Sequence, residues 1–159
     1  MKGFSRQSVV GAAILIIAGG LTACVSQQSA IPAATQTTAG SSSVPVDSLV
    51  GRWGLASYHE DADRARTETA ARAQCRQPYV IGKGPSGGVM MHLADNPKEQ
   101  EEFVSSNASG RTFIGPSGAT AEQADLQILS FDKKVMVARW IDAEISSRYG
   151  TMIYVRCGA

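Results

Sequence analysis

From Tyr79 onward the chain is interrupted at close intervals by Gly, Pro, Asn and Ser, and the stretches between these breaks are short, apolar and alternating. That cadence constrains the fold more than any other feature. Short alternating segments bounded by turn residues are strands, and strands this close in sequence pair with their chain neighbours as hairpins. The segments are Tyr79-Val80-Ile81, Val89 to Leu93, Glu101 to Ser105, Arg111 to Ile114, Asp125 to Phe131, Lys134 to Ile141 and Tyr149 to Cys157; with Arg52 to Tyr58 ahead of them they number eight. Eight strands paired in order form an antiparallel meander, and eight are enough to close a barrel with a filled or small interior. The expected fold is mainly β: a small eight-stranded meander barrel with one helix inserted after the first strand. An open, curled sheet packed on that helix is the alternative.

The inserted helix is read from Glu60 to Arg76, a stretch rich in Ala, Glu and Arg and poor in β-branched residues. Its acids (Glu60, Asp61, Asp63) come early and Arg72 and Arg76 late, as the helix dipole favours. Ala62, Ala65, Thr69 and Ala73 form its expected contact stripe, and Pro78 marks its end. In the last strands both faces are apolar. The assignment adopted puts Trp53, Leu55, Val89, Leu126, Ile128, Val135, Val137, Ile153 and Val155 inside. Met136, Trp140 and Tyr154 then form an outer patch, since aromatics and Met are enriched at interfaces.

Ahead of the domain, Lys2 and Arg6 precede an apolar run from Val9 to Leu21 that ends in Leu21-Thr22-Ala23-Cys24. The run is shorter than the roughly 20 residues of a spanning helix and has the three parts of a secretory signal. The terminal tetrapeptide resembles a bacterial lipobox. The resemblance implies a signal peptide over 1–23, a diacylglycerol on the Cys24 thiol, and a membrane partner held through that anchor, since two or more acyl chains hold stably where one does not. Val25, in place of the Asp that favours inner-membrane retention in enteric bacteria, implies the outer membrane, with the domain facing the periplasm. Residues 24–47 hold the lipidated cysteine and a linker rich in Ser, Thr, Ala, Gln, Gly and Pro. Such a composition cannot bury enough surface to order itself. The domain proper spans 48–159 and is large enough for one core.

Removing Lys2 and Arg6 from a chain of formal charge +1 leaves −1. With mixed signs and no basic run after Asp47, no nucleic-acid partner is expected. Lipidation of Cys24 leaves Cys75 and Cys157 as an even pair in an oxidising compartment, which reads as a disulfide. Closing a loop of about 80 residues would contribute roughly 4 kcal/mol. Two free thiols or a redox pair are the alternative, without a Cys-x-x-Cys or a second nearby thiol to support it.

Tyr58-His59-Glu60-Asp61-Ala62-Asp63 sets imidazole and carboxylates close together, with His59 and Asp63 one helical turn apart. A metal there would need further ligands, so helix capping is the preferred reading. His92 has no acid or nucleophile at a recognisable spacing and reads as an ordinary core or surface residue. Gly84-Pro85-Ser86-Gly87-Gly88 matches a nucleophile elbow in letters only, because a strand follows where a helix is required. It and Gly115-Pro116-Ser117-Gly118 read as turns, as does Asp95-Asn96-Pro97. The charged segment from Lys98 to Glu102 reads as solvated surface at the start of a strand or in a short helical turn. No catalytic residue, metal ligand or cofactor site is assigned, and no enzymatic activity is expected.

Gly51-Arg52-Trp53 on the first strand of an eight-stranded meander resembles the lipocalin superfamily, and is also similar to the small barrel inhibitors of bacterial metalloproteases. In lipocalins an arginine on the last strand packs over that tryptophan, and Arg156 is the residue in this place. The expected function is that of an envelope-anchored, non-enzymatic binding or structural module docking on an envelope partner, with Trp53, Trp140, Tyr154 and Arg156 as partner or core anchors. A metalloprotease inhibitor and a carrier of a small apolar ligand are the alternatives.

Overall fold

A computed structural model describes residues 44–158. Cys24 and the expected signal and linker up to residue 43 lie outside the described residues. Eight strands close a barrel in sequence order, each antiparallel to its neighbours, with β8 returning to β1. They are β1 Gly51–Tyr58, β2 Tyr79–Lys83, β3 Val89–His92, β4 Glu99–Ser106, β5 Thr112–Gly115, β6 Leu126–Phe131, β7 Val135–Trp140 and β8 Thr151–Arg156. Among the described residues three α-helices accompany them: α1 Val46–Leu49, α2 Arg64–Ala73 and α3 Ala143–Tyr149. The open sheet is thereby set aside. The segment Lys98–Glu102 belongs to β4 from Glu99 on, paired with β3 from His92 to Val89.

The barrel interior is filled by Trp53, Ile81, Val89, Met91, Ile114, Leu126, Ile128, Met136, Ala138, Trp140, Met152 and Tyr154. A second cluster of Tyr58, Val137, Ile153 and Val155 packs with Ala71 of α2 on the outer wall. This reverses the expected faces of β7 and β8. Met136, Trp140 and Tyr154 point inward, and Val135, Val137, Ile153 and Val155 lie under the helix. The pairings Leu55↔Tyr154 and Met136↔Tyr154 place these side chains on one face. The physical reason is that a strand buried on both sides has no polar face to mark the outside. A bulge between Ile128 and Ser130 shifts the register of β6, so Phe131 joins the interior and Leu129 is left exposed.

The helical segment runs as a 3-10 turn (Asp61–Asp63), then α2, then a second 3-10 turn (Gln74–Arg76). Its buried positions are Thr67 and Ala71, not Ala62, Ala65, Thr69 and Ala73, which are exposed. Thr67 and Ala71 are four apart and so share one face. Gly54 lets that face come down on β1: a Cβ there would sit 1.9 Å from the Ala71 carbonyl oxygen and 3.2 Å from Cys75 Sγ. Cys75 and Cys157 form a disulfide, with Cα atoms 5.5 Å apart, that ties the end of the helical segment to the end of β8. Residues 44–47 pack with the domain: Val44 and Val46 touch the interior cluster, and Lys83 Nζ meets Asp47 at 3.1 Å.

Candidate functional site at the open end of the barrel

The two ends of the barrel are built differently. At the end where β1 starts and β8 stops, Trp53 lies opposite Arg156, and the guanidinium stacks over the indole at 4.1 Å. Trp53 Nε1 donates to the Leu49 carbonyl at 2.8 Å. Arg156 donates to the carbonyls of Lys133 at 2.8 Å and Val50 at 3.1 Å, and also to that of Ser48. These bonds hold α1 and the β6–β7 turn over the Trp53 side of the barrel. Trp53 and Arg156 are thus brought together as the resemblance implies, and their role is closure. A depression of about 360 Å³ at this end, between β5 and β6, is lined by Val44, the turn residues Gly110 and Arg111, and residues including Leu129 and Phe131.

The other end is open. A cavity of about 250 Å³ lies among Leu55, Tyr79, Trp140, Tyr149, Met152 and Tyr154, with His92, Leu93, Ala94 and Asp95 at its edge. Leu55, Met152 and Tyr154 reach it from β1 and β8. Tyr149 is brought by α3, an element absent from the expected pattern. Asp142 caps α3 by accepting from the Ile145 N–H at 2.9 Å, and Gly150, at φ +70, ends it. Tyr79 and Tyr154 meet edge to face at 5.6 Å. The Tyr79 hydroxyl donates to the His92 carbonyl at 2.6 Å, and Tyr149 donates to Asp95 Oδ1 at 2.7 Å. Burial raises the Tyr79 and Tyr154 hydroxyls above the usual phenol range, and the hydrogen bond to Asp95 raises that of Tyr149. All three rings stay neutral at physiological pH. Trp140 Nε1 is buried without an acceptor.

The edge of the mouth is acidic. Asp95 Oδ2 pairs with Arg148 at 2.8 Å, and Glu144 faces the same guanidinium at 3.4 Å. His92 stands 3.7 Å from Glu99, its partner across β3 and β4. The structure thus supplies His92 with an acid that sequence spacing does not show. Asp95 has φ 59, and the Asn96 N–H returns to the Leu93 carbonyl at 3.3 Å, so the expected turn is present and aims a carboxylate at the mouth.

A second buried polar feature lies in β4 and the β5–β6 loop. Glu102, 2 % exposed, faces into the barrel beside Val89. Its side chain is within hydrogen-bonding reach of Asp125, and Glu102 Oε2 and Asp125 Oδ2 are buried without donors. Burial, reinforced by the Asp125 charge, pushes Glu102 up to about 7. Protonation of Glu102 removes the repulsion between the two carboxyls.

The remaining sequence motifs are structural. Glu101 accepts from the N–H groups of Ser86 and Gly88 at 2.7 and 3.0 Å, which fixes the first Gly-Pro-Ser-Gly segment as the β2–β3 turn. The second is a turn closed by Ala119 N–H to the Pro116 carbonyl at 3.0 Å. Around His59 the capping expectation is corrected: neither Glu60 nor Asp63 makes a side-chain cap bond, and Asp63 instead pairs with Arg66 at 2.7 Å. Among the described residues no group of three or more His, Cys, Asp or Glu is placed to hold a metal. Of the mouth residues, sequence reading placed Leu55 inside, as found, and singled out Trp140 and Tyr154 as partner or core anchors while assigning them the outer face. Tyr79 and Tyr149 were not read as site residues and Asp95 was read only as a turn, although three of the chain's four tyrosines gather there.

Comparison of the chain with protein-family models, with curated proteins and with solved structures found no match.

Proposed function

We propose that this chain is a lipid-tethered binding module of the cell envelope that takes a small ligand group into the open mouth of its barrel. The supporting observation is the cavity of about 250 Å³ walled by Leu55, Tyr79, Trp140, Tyr149, Met152 and Tyr154. Apolar and aromatic walls with a few polar groups at the edge are the usual make-up of small-molecule sites. Closure of the opposite end by Arg156 and Trp53 leaves a pocket and not a channel. The likeness to lipocalins, at Gly51-Arg52-Trp53 and Arg156, supports the same reading. Cys24 supplies the outer-membrane anchor, and the spacer after it gives the domain reach.

Docking on an envelope partner loses the patch that motivated it, because Met136, Trp140 and Tyr154 are interior. The protease-inhibitor reading draws on the spacer, most of which lies outside the described residues. Native mass spectrometry of the full chain, released gently from its membrane, tests the carrier reading. The expected spectrum contains a non-covalent small mass that is lost in Leu55→Arg, a change at the mouth. A bare wild-type mass, or a bound mass unaffected by Leu55→Arg, contradicts it.

A further inference from the structure

We propose that the mouth carries a latch: Asp95, on the β3–β4 turn, holds α3 beside the cavity, and release of that contact lets a ligand in and out. The inference rests on the mouth being a binding site, as above, and adds how the site opens and shuts. Because Arg156 and Trp53 close the other end, a ligand group in the cavity has one route of entry. Two short elements border it. The β3–β4 turn contributes Leu93, Ala94 and Asp95 to the cavity lining, and α3 contributes Tyr149.

Among the described residues, the polar bonds joining these two elements all end on one carboxylate. Asp95 Oδ1 accepts from the Tyr149 hydroxyl at 2.7 Å, and Oδ2 pairs with Arg148 at 2.8 Å. The Arg148 guanidinium also lies over the Tyr149 ring, 5.5 Å from its centre, so the two side chains of α3 reach Asp95 as a unit. The turn presents the carboxylate from a left-handed backbone conformation, φ 59, which Asp adopts more readily than most residues. Apart from this contact α3 is held lightly. None of its residues is buried, and Ile145 and Tyr149 pack only half-buried on the interior cluster. Its ends are fixed by contrast. The Ile141 N–H ahead of it donates to the Asp125 carbonyl at 2.9 Å, and Gly150 behind it lies so close to β1 that a Cβ would sit 2.3 Å from the Tyr58 carbonyl oxygen. An element anchored at both ends, with little buried between them, opens locally while the barrel stays folded. The latch is suited to release, because the Arg148 and Asp95 side chains are 47 % and 45 % exposed and ion pairs in contact with water hold weakly.

The test uses the full chain in detergent micelles, labelled with 15N and with 13C in its methionine methyl groups, and the double variant Tyr149→Phe with Arg148→Met. These changes keep the ring and an unbranched side chain and remove both donors to Asp95. Amide hydrogen exchange reads the latch without any ligand: the Ile145 and Gly150 amides are expected to exchange at least about tenfold faster in the variant, with the amides of β7 and β8 unchanged. Toluene serves as the probe of the cavity, followed at the Met152 methyl, which lines it. Its dissociation rate does not depend on how much toluene the micelle takes up. That rate is expected to rise about tenfold in the variant while the bound fraction stays within about twofold, as for a gate and not a binding contact. Asp95→Asn, which keeps the turn and one acceptor but not the charge, should fall between wild type and the double variant in both readouts. Unchanged α3 amides in the double variant overturn the latch. Toluene that binds and leaves both proteins at the same rate overturns its role as a gate and leaves the pocket standing. A Met152 methyl that does not respond to toluene in wild type overturns the pocket, and with it the gate.

Discussion

Glu102 is the residue whose environment departs furthest from what its type suggests. In sequence it sits within a charged segment, Lys98 to Glu102, that reads as solvated surface; in the fold it is an interior group facing Asp125. That partner is 23 positions away across the β5–β6 loop, a distance no local pattern spans. The pairing carries a pH dependence of definite sign. The folded-state pKa of Glu102, about 7, lies above its ordinary 4.5, so the stabilisation is complete below about 4.5 and is lost as pH rises through 7. The domain is expected to lose stability, on the order of 3 kcal/mol from this group, between pH 4.5 and pH 8 in urea unfolding. Glu102→Gln keeps a donor toward Asp125 without the titration, so its stability should be flatter over that range and higher than wild type at pH 8. An identical pH slope in both proteins contradicts the titration of Glu102. Trp53 and Arg156 were legible by contrast, because their likeness to a known pair needs only two positions and a barrel to join them.

Among the elements, strand number, order and antiparallel pairing were all readable, because hairpin topology follows from short spacing and turn residues. Which face of β7 and β8 is inside was not. Val135, Val137, Ile153 and Val155 are as apolar as Met136, Ala138, Met152 and Tyr154, and only the position of α2 distinguishes them. The clue lay in Gly54. A glycine in mid-strand marks a place where another backbone comes close, and here the helix lies against it through Ala71. Read that way, the odd positions of β8 belong under the helix. The short helix α3 was missed because its seven residues are too few to show a period. Gly54→Ala is expected to push α2 off β1 and cost about 2–4 kcal/mol in urea unfolding, in the range of overpacked or distorted cores. A loss below about 0.5 kcal/mol contradicts the close approach.

At the scale of the whole molecule, a small barrel with one outer helix is fastened at a few defined places, and one of these fastenings is the covalent Cys75–Cys157 bridge. It links residues 82 apart, and removing it frees the unfolded chain by roughly 4 kcal/mol in the loop-entropy picture. The double substitution Cys75→Ser with Cys157→Ser should lower the urea midpoint accordingly while the barrel's circular dichroism is retained at low denaturant. An unchanged midpoint contradicts the bridge's role.

The two ends of the barrel differ, one closed by Arg156 over Trp53 and the other open around Trp140. The chain's two tryptophans report on one end each, so hydrogen exchange of their indole N–H groups tests it directly. Trp53 Nε1, bonded to the Leu49 carbonyl and covered by Arg156, should exchange only when the domain unfolds. Trp140 lines the cavity with its Nε1 buried and without an acceptor; having no hydrogen bond to break, it should exchange at least a hundredfold faster, and more slowly once the mouth is occupied. Equal protection of the two, or slower exchange at Trp140, would contradict an open mouth at that end.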